Sequence, residues 1–172
     1  YIFKENIWQH RGGSHSIECR GAVSFYEPTE DLVTLYSSTQ SAHTAKNILI
    51  DMLGFDENKV RVIIPDVGGG FGPKLVFYQE DISVVLAAMI LGKPVKWVED
   101  RREHFISTTQ ERDQFWEVEI AVDGEGQILG LRGSMVHDHG AYTARGINLA
   151  FNSALIVSLP YKVPCYFLEV LL

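Results

Sequence analysis

The pattern of hydrophobic and polar positions predicts a chain in which strands and helices follow one another closely. Residues 18–26 and 32–38 alternate apolar and polar side chains around a turn-rich segment, which is typical of a β-hairpin. A helix is predicted to begin after Ser41, a favourable N-cap residue, and to end near Leu53. The first third of the sequence therefore predicts a hairpin followed by a helix.

The rest of the chain continues this alternation. The pattern predicts a strand at 60–65, a helix at 78–91, a strand at 95–98, a second hairpin formed by 115–122 and 128–136, and a strand-like end at 165–172. We interpret the strands at 60–65 and 95–98, with the helix between them, as a βαβ crossover. The predicted fold class is mixed α/β (α+β), with hairpins flanking the crossover, as one domain or two small lobes over residues 1–172.

The most informative segment is residues 66–74, where four glycines, one phenylalanine and one lysine stand within seven positions. Glycine backbones tolerate positive φ and come close to ligands, so consecutive amides can form an anion-binding concavity. The loop follows a predicted strand, and open α/β sheets bind ligands at the carboxyl ends of their strands. It lacks the spacing of a phosphate-binding P-loop and of a dinucleotide fingerprint. A ligand-binding loop and a plain glycine turn both remain open.

Composition excludes several classes of function. The chain has 172 residues, 46% of them hydrophobic and 22% charged, with a formal net charge of −7. An acidic chain of this kind does not favour nonspecific nucleic-acid binding or an anionic membrane surface, and no apolar run is long enough to span a bilayer. These features predict a globular protein without nucleic-acid or membrane partners.

The two cysteines, Cys19 and Cys165, are far apart, and neither has a second cysteine nearby. The cysteines therefore cannot build a zinc knuckle or an iron–sulfur cluster, and a reduced, cytoplasmic pair is predicted. The chain begins at Tyr1 and stops within a strand-like run. We expect both ends to be truncated from a longer protein or to pair with another chain.

Two other polar segments are candidate sites. His137 and His139 alternate on a predicted strand, which favours one shared face, but no third ligand is evident, so a structural role is preferred over a metal site. The charged run 99–104 is typical of a solvated, salt-bridged surface rather than an acid/base site.

Several segments together resemble one protein family over nearly the whole chain. They are residues 17–23 (IECRGAV), 37–40 (SSTQ), 68–74 (GGGFGPK), 92–97 (GKPVKW) with 99–103 (EDRRE), and 138–142 (DHGAY). In this order they resemble the large, molybdenum-binding subunits of the xanthine dehydrogenase, aldehyde oxidase and aerobic carbon monoxide dehydrogenase family. The resemblance implies the amino-terminal part of a molybdopterin-binding domain.

The resemblance also implies a cofactor site. The side-chain amide of Gln40 would hydrogen-bond to an oxygen ligand of molybdenum, whereas the alternative for Gln40 is to cap the helix that begins near Ser41. Backbone groups of Gly69, Gly70, Phe71 and Gly72 would face the molybdenum ligands and the pterin, and Phe71 would line the substrate pocket. By the same resemblance, Arg101 or Arg102 would brace this loop.

The implied enzyme oxidises an aldehyde, a heterocycle or a carbon monoxide-like substrate with water as the oxygen source. Its cofactor is molybdopterin, with or without an appended nucleotide, and its partners are the remaining segments of the molybdenum subunit together with iron–sulfur and FAD subunits in an oligomer.

The sequence departs from the family pattern in two respects. Xanthine-oxidising members have a glutamate where this chain has Leu75, so purine oxidation is not favoured, and the GPK ending and the segment 97–103 are closer to the carbon monoxide dehydrogenase-like branch. The general base of the family lies beyond the matched region, so we predict no catalytic residue and no metal ligand in this chain, and no activity for the chain alone. The alternative is a non-catalytic fragment or split subunit that folds and pairs with a partner chain.

Overall fold

The computed structural model describes residues 1–144 and 146–172, within which the chain forms eight strands and four α-helices. The strands are β1 (Ile2–Gln9), β2 (Gly21–Glu27), β3 (Leu32–Ser37), β4 (Val60–Ile63), β5 (Val95–Val98), β6 (Gln114–Val122), β7 (Ile128–His137) and β8 (Cys165–Leu171). The helices are α1 (Ala42–Leu53), α2 (Gln79–Leu91), α3 (Arg101–Ser107) and α4 (Gly146–Ile156), with short 3₁₀ turns at Glu57–Lys59 and Pro73–Leu75.

These elements fall into two compact units, each with its own four-stranded sheet. The glycine-loop unit is Ser14–Thr109, and the terminal unit consists of Tyr1–Gly13 together with Gln110–Leu172. The mixed sheets and their helices confirm the predicted mixed α/β class. None of the helices in the described ranges has the length and apolar character that a bilayer crossing requires.

The sheet of the glycine-loop unit has the order β4-β3-β2-β5. The predicted hairpin is confirmed, because β2 and β3 pair antiparallel. The core of the glycine-loop unit is formed by fully buried aliphatic side chains, namely Val33 and Leu35 of β3, Leu49 of α1 and Val85 of α2. Burial of each such side chain stabilises the fold by roughly 1.5–3 kcal/mol, so the central hairpin and the two helices hold the unit together.

The two strands and the helix of the predicted crossover are present, but the two strands are not adjacent in the sheet. Strands β4 and β5 are parallel to each other, because β3 is parallel to β4 and antiparallel to β2, which is antiparallel to β5. They nevertheless lie at opposite edges of the sheet, with the hairpin between them. The adjacent parallel pair is β3 and β4, joined through α1. Strand β3 carries the most buried apolar residues of this sheet and therefore takes an interior position.

The charged run 99–104 is solvated only in part, since Asp100, Arg102 and Glu103 are exposed whereas its two end residues are buried. It opens α3, where the Asp100 carboxylate accepts a hydrogen bond from the Glu103 amide at 2.8 Å and the Glu103 carboxylate accepts one from the Asp100 amide at 2.9 Å. This capping box fixes the start of the helix. Glu99 and His104 are buried, at 3% and 0% exposure.

The terminal unit has the strand order β1-β6-β7-β8. The predicted second hairpin is confirmed, since β6 pairs antiparallel with β7. Its turn is closed by the Asp123 carboxylate, which accepts hydrogen bonds from the amides of Glu125 and Gln127 at 2.9 Å each. Strand β1 pairs antiparallel with β6, and β8 pairs parallel with β7. The amino-terminal strand was not predicted.

Candidate functional site

The glycine loop follows β4, as the sequence predicted, and leads into the 3₁₀ turn Pro73–Leu75, which it did not. Its backbone has positive φ at Gly69 (+95°), Phe71 (+53°) and Gly72 (+103°). A phenylalanine in this region is uncommon, because the conformation costs on the order of 1–3 kcal/mol and persists only where the surroundings impose it. Such strain is concentrated at functional sites. The Phe71 ring itself is 69% exposed.

The loop presents unpaired backbone donors. Within residues 1–144 and 146–172, the N–H groups of Gly69, Gly70 and Phe71 have no hydrogen-bond acceptor. Gly69 and Gly70 are half-buried, so only part of each residue faces solvent. Consecutive backbone donors in a loop of this kind form a concavity that suits anionic or electron-rich oxygen and sulfur ligands.

Gln40 lies against this loop rather than on the helix. Its side-chain Oε1 accepts a hydrogen bond from the Gly72 amide at 2.9 Å, and its backbone N–H donates to the Lys74 carbonyl at 2.8 Å. A Cβ added at Gly70 would lie 2.5 Å from Cγ and Cδ of Gln40. The helix-capping interpretation of Gln40 is therefore wrong. Its role towards molybdenum stays a prediction.

The Gln40 contact decides the orientation of the side-chain amide. The Gly72 N–H can only donate, so the Gln40 atom facing it must be the oxygen. The Nε2 group is then left as a donor, and it has no partner among the described residues. Gly72, predicted to bind cofactor, uses its own amide to hold Gln40 and contributes to the site through that contact.

Two residues that sequence reasoning did not single out as site residues fix both ends of the loop. The Glu18 Oε2 atom accepts hydrogen bonds from the Gly68 amide at 2.7 Å and from the Lys74 ammonium at 2.9 Å. The Lys74 side chain is only 1% exposed. The hydrogen bond from Lys74 lowers the pKa of Glu18, with help from the Gly68 amide. Sequence reasoning missed this contact because lysine is usually exposed, so the sequence does not indicate that Lys74 is buried.

Arg20, Glu99 and His104 form a second buried polar cluster. The Arg20 guanidinium donates to the Glu99 carboxylate through Nη2 at 2.6 Å and Nε at 2.9 Å, and His104 Nδ1 lies 2.7 Å from Glu99 Oε2. The guanidinium also lies 3.8 Å from the centre of the Tyr78 ring. Burial acts to raise the pKa of Glu99, but the hydrogen bonds from Arg20 and His104 outweigh it and lower the pKa to about 2.

This pKa predicts an acid-sensitive contribution to stability. Because the pKa of Glu99 is lower in the folded chain, its contribution is fully present above the unfolded value near 4.5 and is lost as the pH falls towards 2. A shift of this size corresponds to about 3 kcal/mol. Chemical denaturation at a series of pH values should show this loss in the wild-type chain and not in Glu99→Gln. Parallel pH dependence in the two proteins would contradict the prediction.

The cluster also contains one group of metal-ligand type. Ligand atoms of Cys19, Glu99 and His104 lie within 4.8 Å of one another, the one such group of three in the described part of the chain. Both oxygens of Glu99 already accept hydrogen bonds from Arg20, whose positive charge would repel a cation. A dication would have to displace this buried ion pair. We therefore interpret the cluster as structural.

Two other expectations change. Strand β7 ends at His137, so His139 lies beyond the strand, but the two rings still stack with their centroids 6.0 Å apart. His137 also lies 3.1 Å from the Gln114 amide, and His139 lies 2.7 Å from the Thr143 hydroxyl. Arg101 does not brace the glycine loop: its guanidinium donates to the carbonyls of Ser16 and Ile17, at 2.6 Å each.

Comparison with known proteins identifies the family. The profile of the molybdopterin cofactor-binding domain matches residues 1–172. The chain belongs to this family. The predicted family, and molybdopterin as its cofactor, are thereby confirmed.

The relatives are large subunits of molybdenum enzymes. The chain is 44% identical over 126 residues to the nicotine 6-hydroxylase large subunit of Paenarthrobacter nicotinovorans, covering 73% of this chain and 15% of the relative. It is 38% identical over 150 residues to the carbon monoxide dehydrogenase large chain of Hydrogenophaga pseudoflava, covering 86% and 19%. The chain thus spans less than a quarter of the length of either.

A solved structure supports the fold. The quinoline 2-oxidoreductase of Pseudomonas putida 86 superposes with a TM-score of 0.87 at 32% identity, covering 99% of this chain and 22% of that one. At this identity the likeness extends to the family as well as the fold.

Proposed function

We propose that this chain supplies part of the molybdenum-cofactor site of an oxidative hydroxylase, with the cofactor held by the glycine loop and Gln40. One observation carries the proposal: the free amides of Gly69, Gly70 and Phe71 stand on the same short loop that holds Gln40, whose Nε2 donor is also free. All these groups are neutral donors. They suit the oxygen and sulfur ligands of a metal whose charge changes during turnover.

Each residue of this site has a distinct task. The three free amides and Gln40 Nε2 bind and orient the cofactor, and Gly72 holds Gln40 in place. The exposed Phe71 ring forms an aromatic wall for the substrate. When bound, the molybdenum cofactor supplies the redox chemistry, in which water provides the oxygen atom. The general base is contributed by a part of the enzyme other than this chain.

The substrate we propose is an aldehyde, a heterocycle or a carbon monoxide-like molecule. The relatives are named for carbon monoxide and for the nitrogen heterocycles nicotine and quinoline. Leu75 takes the position of the purine-holding glutamate, so purines are disfavoured. Iron–sulfur and FAD subunits would carry the electrons away within an oligomer. The free state of Cys19 and Cys165 supports a cytoplasmic enzyme.

Replacing Gln40 tests this function. In the full-length enzyme, Gln40→Ala removes a donor to a charged centre without removing core volume, since the side chain is exposed. A hydrogen bond of this kind contributes roughly 1.5–3 kcal/mol. We expect kcat per bound molybdenum to fall by about ten- to a hundredfold.

The matched control is Gln127→Ala, an exposed glutamine in the β6–β7 turn. It should leave kcat and molybdenum content unchanged. Steady-state kinetics normalised to metal content would measure both variants. Unchanged kinetics for Gln40→Ala at full molybdenum occupancy would contradict the proposed role.

A further inference from the structure

A single carboxylate joins the two ends of the glycine loop. Glu18 Oε2 accepts from the Gly68 amide at 2.7 Å, where the loop begins, and from the Lys74 ammonium at 2.9 Å, where it ends. The contact is close, because a Cβ added at Gly68 would lie 2.7 Å from the Cβ of Glu18. The three residues with free amides, Gly69, Gly70 and Phe71, lie between these anchor points.

We propose that Glu18 is a positioning residue, which holds the glycine loop in the shape that keeps the amides of Gly69, Gly70 and Phe71 free for the cofactor. This inference rests on the proposed function of the loop. It assigns to Glu18 no contact with the cofactor itself.

The loop needs such an external restraint. Its backbone has positive φ at Phe71, a conformation that a non-glycine residue adopts only when its surroundings impose it. Inside the loop, the Gln40 side chain binds the Gly72 amide. Without the Glu18 contacts, Gly68 and the Lys74 side chain would lose the shared anchor, and the strained segment between them could relax.

The charge at this position also matters. Lys74 is almost fully buried, and a buried ammonium requires a partner. The hydrogen bond from Lys74 keeps the pKa of Glu18 below its ordinary value. The two charges offset each other, so Glu18 supplies the counter-charge of the buried ammonium at the base of the loop.

The backbone around Glu18 has its own support. Arg101 donates to the carbonyls of Ser16 and Ile17, immediately before Glu18. The Glu18 side chain is 46% exposed, so its removal takes little packing from the core. Changes at the Glu18 side chain should therefore act on the glycine loop and not on the strand that follows.

The test uses the full-length enzyme. The double variant Glu18→Ala with Lys74→Met removes the anchor without leaving an unpaired buried charge. We expect its molybdenum content to fall by roughly tenfold while its melting temperature stays near that of wild type. In cofactor-free protein, amide hydrogen exchange over residues 66–74 should become faster, because Gly68 loses its acceptor.

Two further variants complete the test. Glu18→Asp keeps a negative charge beside Lys74 but shortens the side chain by one methylene. This variant should fold, and its molybdenum content should fall as in the double variant. Glu57→Ala, which breaks the exposed Lys46–Glu57 pair in the same unit, is the control and should change neither readout. Normal molybdenum content in the double variant or in Glu18→Asp, or unchanged exchange of the loop, would overturn the inference. Absence of molybdenum from the wild-type enzyme would instead overturn the proposed function.

Discussion

Arg20→Met is expected to lower the free energy of unfolding by about 3–5 kcal/mol, because it leaves the Glu99 carboxylate buried without its cation. The side chains of Arg20 and Glu99 are 6% and 0% exposed, and their closest atoms are 2.6 Å apart. Glu99 would keep only neutral or weaker partners, namely His104, the Ser107 hydroxyl and the backbone amide of residue 20. Chemical denaturation followed by circular dichroism measures the loss.

A second arginine–glutamate pair provides a matched control. Arg132 Nη2 also lies 2.6 Å from Glu119, but the Arg132 side chain is 69% exposed. Exposed pairs contribute about 0–1 kcal/mol, so Arg132→Met should change stability little. In addition, Arg20→Met combined with Glu99→Leu should recover much of the loss, since the one carboxylate left without Arg20 is then Glu80, which is partly exposed. Equal losses in the two single variants would show that burial does not determine the effect.

The local elements were predictable from the sequence because each depends on residues close together in the chain. Turn residues between two alternating runs define the β2–β3 hairpin, and Gly54 ends α1 in the left-handed conformation that glycine favours. The positions of β4 and β5 at opposite sheet edges were not predictable. They depend on which strands bury both faces, and hydrophobic periodicity does not report strand neighbours.

The candidate site also has a part that the sequence predicts and a part that it does not. Dense glycines mark the loop directly, because few other functions need so many residues without a Cβ. The contact of Gln40 with Gly72 spans 32 positions, and that of Glu18 with Lys74 spans 56. Side-chain partners at such separations follow from the fold and not from local sequence. The burial of Glu99, within a run whose middle residues are exposed, was not predicted for this reason, since it depends on the distant Arg20.

Gly70→Ala should separate cofactor binding from stability in the full-length enzyme. The φ angle of Gly70 is not positive, so alanine costs little in backbone strain. The new Cβ would instead lie 2.5 Å from Cγ and Cδ of Gln40 and push this side chain off the Gly72 amide. Both the loop surface and the Gln40 donor would then change. We expect molybdenum content to fall by roughly tenfold or more, with the free energy of unfolding changed by no more than about 1 kcal/mol.

Two glycines serve as controls for this result. Gly54→Ala tests strain alone, because Gly54 lies outside the glycine loop, has φ of +70° and has no atom within 4 Å of an added Cβ, so its main effect should be on melting temperature. Gly124→Ala, with neither strain nor contact, should change nothing. Metal content and thermal melting are measured on the same preparations. Normal molybdenum content with a lowered melting temperature in Gly70→Ala would leave the loop as a structural turn, because the contact that the new methyl group disrupts would then serve folding and not the cofactor.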